Sequence, residues 1–420
     1  MTRALAPVAA LLLGVAILLT GQGLQGTLLP VRASLEEFPT IAIGFMGAAY
    51  FLGFTLGCLK GGELVKRVGH VRVFLAMASL ASAVPLLHGL LPQPLIWGLL
   101  RALTGFCFAA LYVVIESWLN ECSTNDNRGI IFSTYVMITL SVLALGQMMT
   151  LLYDPSGLEL FLIASVLVSL GAIPVALSTS PTPEQPTSVR VDTRRLFAIS
   201  PAGTIACLAS GLANGAFWAL APVFVAGVAG DPRLAAWFMT SAVIGGALSQ
   251  WPVGYASDRF GRRRVLMAAT LLGVAVAAFF VSWGSSLDFV AINVLAALWG
   301  AVAFPLYTVA VAHTNDYADP KDYVMVSSGL LLMYGVGAIG GPFLASLLMT
   351  ALGPTWLFGF SGLVHVLLIA FVLLRMLKRS SAPEEHHVAF GDALTAAHTA
   401  SRIYETEILQ RDEEAATGPT

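Results

Sequence analysis

The chain has 420 residues, 57% of them hydrophobic and only 11% charged, with a formal net charge of −2. A soluble domain carries about 25% charged residues, so much of this surface has to face lipid rather than water, in keeping with a mean hydropathy of +0.80. The charge balance gives no basic field for nucleic acid. Cys58, Cys107, Cys122 and Cys207 form no CxxC pair, so neither a disulfide framework nor a zinc site is implied.

The first apolar run follows Arg3, begins at Val8 and continues through small and polar residues to Leu29 with no A-x-A cleavage site. A signal peptide's apolar core is only about 7–15 residues, so this run reads as a retained first span. A membrane-crossing helix needs about 20 mainly apolar residues. Twelve such segments follow one another near 8–29, 40–59, 73–91, 94–119, 130–152, 158–177, 202–227, 233–256, 265–284, 288–312, 324–350 and 354–376. Breakers separate them: Pro39, Pro92 and Pro94, Asp154-Pro155, Asp231-Pro232, Gly353-Pro354. None of the segments shows the two-residue alternation of a β-barrel strand.

Charge placement orients the spans, because cytoplasmic loops are enriched in Lys and Arg. With a cytoplasmic N-terminus, the inner side collects Lys60, Lys66, Arg67, Arg72, Arg128, Arg190, Arg194, Arg195, Arg259, Arg262, Arg263, Arg264, Lys321, Lys378 and Arg379, among others. The outer side receives only Arg32 and Arg233. Both termini are therefore expected in the cytoplasm of a multi-pass membrane protein.

The long central break at 178–201, with Pro181, Pro183 and Pro186, reads as a cytoplasmic linker between six-span bundles at 1–177 and 202–379. The polar stretch 380–420 reads as a cytoplasmic tail. The halves repeat: Gly62-Glu63-Leu64-Val65-Lys66-Arg67-Val68-Gly69-His70 after span two matches Gly254-Tyr255-Ala256-Ser257-Asp258-Arg259-Phe260-Gly261-Arg262 after span eight, 192 residues on (254 − 62). Pro30 and Pro222, and Gly53 and Gly245, share that offset.

The second copy resembles the G-x-L-x-D-R-x-G-R-[RK] signature of the major facilitator superfamily at Gly254, Asp258, Arg259, Gly261, Arg262 and Arg263. The first copy departs from it, with Lys66 at the acidic position and His70 at an arginine position. The resemblance narrows to the YcaD-like branch through Val114-Ile115-Glu116-Ser117-Trp118-Leu119-Asn120, Leu145-Gly146-Gln147, Ser249-Gln250-Trp251-Pro252 and Met333-Tyr334-Gly335. It implies an all-α integral membrane fold, twelve transmembrane helices in two pseudo-symmetric six-helix bundles, and the transport of a small molecule by alternating access. It also implies that the second motif copy is a conformational latch; an orienting basic loop is the plainer alternative.

Charges inside a span are costly and usually face a cavity. Span four holds Arg101 and Glu116, fifteen residues or about 22 Å apart and roughly 60° apart around the helix. Tyr112 lies along the same face. Arg101 is a candidate for attracting an anionic or polar substrate group or for modulating a proton site, or else an anchor snorkelling outward. Glu116 is a candidate proton carrier, or else a partner of Arg128 and the inner loops. Gln25 in span one and Asn214 and Trp218 in span seven sit in glycine-rich zones suited to a central cavity or to close packing. Gln250, Tyr307 and Tyr334 are further lining candidates. His88 and His365 read as structural.

The sequence holds no GxxxxGK[ST] for ATP, no HExxH or GxSxG for hydrolysis and no TVGYG filter. The expectation is a non-enzymatic secondary transporter with no cofactor or metal, partnered by lipid and a small molecule, with protons as the candidate coupling ion. The competing class is a non-transporting membrane receptor or scaffold on the same fold, which has no need of converging polar groups.

Overall fold

No water reaches the backbone inside a bilayer, so each apolar run has to satisfy its own N–H and C=O groups, which a helix does. The computed structural model describes residues 8–124, 127–177, 192–231, 233–319 and 322–376, and these are helical with no strand among them. The first bundle comprises α1 (Ala9–Leu35), α2 (Thr40–Val68), α3 (His70–Leu90), α4 (Pro94–Glu121), α5 (Arg128–Met148) and α6 (Glu159–Ala176). A short α7 (Thr193–Ile199) leads to the second: α8 (Pro201–Ala229), α9 (Leu234–Phe260), α10 (Arg262–Trp283), α11 (Phe289–Ala303), α12 (Pro305–Asn315), α13 (Tyr323–Leu352) and α14 (Trp356–Met376).

Eleven of the described segments are long and apolar enough to cross a membrane. The eighth expected span, α9, is also long enough at 27 residues, but Thr240, Ser241, Gly245, Gly246, Ser249 and Gln250 lower its apolar content. The tenth expected span is not one uninterrupted helix. It divides at Phe304, and Pro305 starts α12, because proline has no N–H and its ring clashes with the preceding turn. Of the expected linker, residues 178–191 lie outside the described residues, as does the 380–420 tail. The rest of the linker contains α7, whose N-cap Asp192 accepts the backbone N–H groups of Arg194 and Arg195. Arg195 then pairs with Asp322, at the start of α13, at 2.7 Å.

The repeat read from the sequence is present as geometry. Gly69 and Gly261 both take a left-handed turn, with φ 87° and 88°, a conformation only glycine adopts without strain. Each is followed by a buried helix-starting residue, His70 in one half and Arg262 in the other. In the first bundle Gly53 of α2 abuts the Ala102 backbone, and Gly105 of α4 abuts the Tyr50 backbone. In the second, Gly245 of α9 abuts Ala297 and Gly300 of α11 abuts Ala242. Small residues let the backbones touch, which is how helices associate where lipid supplies no hydrophobic drive.

Aromatic packing fills the second bundle, with Phe224, Phe238, Phe280 and Phe358 around Trp299 and a Phe280–Phe358 stack at 3.8 Å. His365 is fully buried against Trp299. His88 is buried too, its Nδ1 3.0 Å from the Val84 carbonyl.

A side chain at Gly105 or Gly300 would press on backbone rather than on a movable side chain. Gly105→Leu and Gly300→Leu should therefore each destabilise the detergent-purified protein by about 1–3 kcal/mol, as overpacking does. Gly26, with open space beside it, should tolerate Gly26→Ala without loss. Thermal unfolding of the three variants checks this; equal midpoints would contradict it.

Candidate functional site: a cavity between the bundles

The two bundles touch through α1, α2 and α5 on one side and α8, α9 and α13 on the other. Successive spans reverse direction, so the loops fall at two ends. One end carries the two glycine-turn motifs; the other, the far end, carries the α1–α2 and α13–α14 connections. The closest approaches between bundles lie toward the far end, where Gly44 meets Pro342 and Ser346 and Gly47 meets Ala219 and Pro342. There the Thr240 hydroxyl also donates to Gln147 Oε1 at 3.3 Å. Below this seal lies a cavity of about 400 Å³ that extends past Arg101 and Tyr112 to Cys58, Glu116 and Ser328, toward the motif end.

Helical spacing brings the polar groups into this space. Arg101, Thr104, Phe108, Tyr112 and Glu116 recur every three or four residues along α4 and all line the cavity. Gln22 and Gln25 share a face of α1 by the same rule. The Gln22 amide joins two tyrosines: its Nε2 donates to the Tyr50 hydroxyl at 2.9 Å and its Oε1 accepts from the Tyr112 hydroxyl at 2.9 Å. Tyr135 of α5 donates to Glu116 Oε1 at 3.4 Å, and Glu116 is only 1% exposed. The side chain of Arg128, the other expected partner of Glu116, lies outside the described residues.

Arg101 is the most distinctive group in the cavity. Its guanidinium lies over the Tyr50 ring, 4.2 Å from the centroid. Among the described residues it forms no ion pair and no hydrogen bond. Its side chain is half-buried and faces the cavity, and the cation–π contact contributes about 0.5–2 kcal/mol. Gln25 is 2% exposed, and among the described residues neither end of its amide has a hydrogen-bond partner.

Of the residues expected from sequence, Gln25, Arg101, Tyr112, Glu116 and Trp218 come together in the cavity wall, and Tyr334 joins them. Asn214, Gln250 and Tyr307 fall outside that wall. Asn214 is buried on α8, its Oδ1 without a hydrogen-bond partner among the described residues. Tyr307 lies against the Tyr334 ring at 4.9 Å. Gln250 is half-buried on α9. Sequence reasoning missed Tyr50 and Tyr135 and gave Gln22 and Gln147 no role in the wall. The usable signal was that mid-span tyrosines and glutamines need hydrogen-bond partners in lipid, and those of the first half outnumber those of the second.

The motif in the second half forms a charge cluster at its own end of the molecule. Arg262 is 4% exposed, pairs with Asp258 at 2.5 Å and with buried Asp316 at 3.4 Å, and donates to Ser257 at 3.0 Å. Arg263 donates to the Tyr317 hydroxyl at 2.8 Å, and Arg259 to that of Tyr255 at 2.9 Å. Gly254 is buried in α9, and Gly261 makes the turn that swings Arg262 inward.

The sequence profile of the Major Facilitator Superfamily matches residues 11–230 and, a second time, 203–403. The chain belongs to this superfamily. The two matches begin 192 residues apart (203 − 11), the offset of the internal repeat. The uncharacterised MFS-type transporter YcaD of Salmonella heidelberg is 27% identical over 91% of this chain and 98% of its own length. A similar MFS-type transporter of an Enterobacter species is 28% identical over the same shares. Among solved structures, the nucleoside transporter NupG superposes with a TM-score of 0.78 at 14% identity, covering 89% of this chain and all of that one. A bacterial homologue of the human lysosomal transporter Spinster, inward-facing and occupied, gives 0.67 at 16% identity, covering 95% and 98%. The chain is thus a multi-pass membrane transporter of the superfamily, with a small molecule as cargo.

Within this superfamily motif the first copy has changed chemistry. His70 replaces the buried arginine and meets Ser117 of α4 at 3.0 Å, a neutral pairing where the second copy holds ions. Asp316→Asn should therefore destabilise the protein by about 3–5 kcal/mol by weakening the compensation of buried Arg262. Asp258→Asn, on the half-exposed partner, should cost about 1 kcal/mol or less. Chemical denaturation of both variants in detergent measures the difference; a larger loss at Asp258 would contradict this division.

Proposed function

We propose that the protein is a secondary active transporter of the cytoplasmic membrane that works by alternating access, with the bundles at 1–177 and 202–379 as the moving bodies. Both termini face the cytoplasm, as the Lys and Arg distribution indicates. The conformation described is then inward-facing: sealed at the periplasmic end around Gly44, Gly47 and Pro342, with the cavity reaching the cytoplasmic side. The single observation that carries the reading is a cavity between two repeated bundles, closed at one end and lined by polar groups that packing alone does not require. A receptor or scaffold on this fold has no use for Arg101 and Gln25 facing one interior space.

Proton coupling runs through Glu116, the carboxylate buried in the cavity wall on the cytoplasmic side. Closure of that side would change its surroundings and so its hold on a proton. The Asp258, Arg259, Arg262 and Arg263 cluster acts as a latch on the cytoplasmic face, engaged when the bundles close there. Tyr255, Ser257, Asp316 and Tyr317 of the second bundle are among the groups that hold it in the present conformation.

Labelling tests alternation without knowledge of the cargo. The four native cysteines are free and can be replaced, and Gly26→Cys then places one thiol in the cavity wall where space is open. A membrane-impermeant maleimide should modify it from the cytoplasmic side quickly and from the periplasmic side slowly, since both conformations exchange. Modification strictly from one side would contradict alternating access.

A further inference from the structure

The chemistry of the cavity wall selects a class of cargo. The described lining residues include two charged side chains, Arg101 and Glu116, separated by about 22 Å of helix. A small molecule seated against Arg101 is therefore out of reach of Glu116, and a zwitterion's ammonium would find no carboxylate beside it. The wall that Arg101 shares is rich in aromatics: Tyr50, Phe51, Phe54, Phe108 and Tyr112, with Trp218 contributed by the second bundle. The guanidinium already has one face on the Tyr50 ring, and none of its N–H donors is engaged among the described residues. A planar fork of free donors matches two oxygens of one anionic group. With one cation in the described wall, a single negative charge is matched and a second is left without a counter-charge. Gln25 belongs to the same wall, but its amide nitrogen and oxygen are both covered in this conformation.

We infer that the cavity binds an amphipathic organic monoanion, one carboxylate or sulfonate head held by Arg101 and a flat apolar body packed against the aromatic wall. The inference rests on the transport reading only in taking this cavity as the cargo site. The position of Arg101, near the sealed end and away from the motif-end opening, makes it the terminus of an electrostatic path into the cavity. Trp218 stacks on Phe304 at 5.3 Å, beside the break between α11 and α12, so a body seated against it also touches the bundle that has to move.

The test uses full-length protein in detergent and three probes of one shape: naphthalene-2-sulfonate, its neutral sulfonamide, and 2-naphthylmethylammonium. Ligands that bind the folded state raise its thermal midpoint. The sulfonate should raise it and the other two should not. Arg101→Gln should abolish the sulfonate shift and Arg101→Lys should retain part of it. Equal shifts by the neutral or cationic probe, no shift by the sulfonate at millimolar concentration, or an undiminished shift in Arg101→Gln would each overturn the inference. The comparison within wild type stands even if a variant fails to fold. Uptake of radiolabelled sulfonate into proteoliposomes separates this inference from the transport reading. Binding without uptake keeps the monoanion site and counts against transport. Uptake of the sulfonamide with indifference to the sulfonate keeps transport and removes the monoanion site.

Discussion

Every feature of this protein follows from one constraint: in hydrocarbon a backbone polar group or a charge has no water to turn to. The backbone answers by coiling into helices, and the helices answer the missing hydrophobic drive by touching at glycines. Gly53 with Gly105, and Gly245 with Gly300, fix the same pair of crossings in each half. These crossings hold each bundle as a rigid body and turn one polar face of α4 toward the space between bundles. The polar side chains that remain either bond to one another, as Gln22 does with Tyr50 and Tyr112, or have no hydrogen-bond partner among the described residues, as with Arg101 and Gln25.

The duplicated halves have diverged in a consistent direction. The first carries the cavity's charged and amide groups, while the second supplies Trp218, Met239, Leu331, Leu332 and Tyr334 to the opposite wall. At the motif end the asymmetry reverses: the second half holds the Asp258–Arg262–Asp316 ion cluster, and the first has His70 where the second has its buried arginine. The charged and amide groups of the cavity are thus concentrated in one bundle and the ion cluster of the motif in the other.

Much of this was legible in the sequence because lipid imposes a long-wavelength signal. Runs of apolar residues, breakers between them and the one-sided placement of Lys and Arg give the span count and the two bundles. The 192-residue offset gives the repeat. What escaped depends on short-range side-chain geometry. Pro305 breaks its helix while Pro30, Pro85, Pro174, Pro222, Pro252 and Pro342 are held inside theirs, and the apolar pattern does not distinguish them. Arg101 and Glu116 were visible as charges in a span, and their spacing placed both on the cavity face. Tyr50 and Tyr135 were not visible, because a mid-span tyrosine looks the same whether it packs in a core or lines a cavity. Asn214 and Tyr307 fell one layer behind the wall for a related reason: glycine-rich surroundings mark close helix packing as well as they mark a binding space.

The most direct test of the central claim, that the bundles rock about this cavity under the control of a buried carboxylate, is the distance between them at the motif end. Spin labels at Arg67 and Arg264, both exposed and on opposite bundles, report it by pulsed electron resonance on protein in lipid nanodiscs. The account predicts two distance populations, a longer one matching the conformation described here and a shorter one, with a ratio that shifts on lowering the pH and in Glu116→Gln. A single distribution, indifferent to pH and to that substitution, would contradict it.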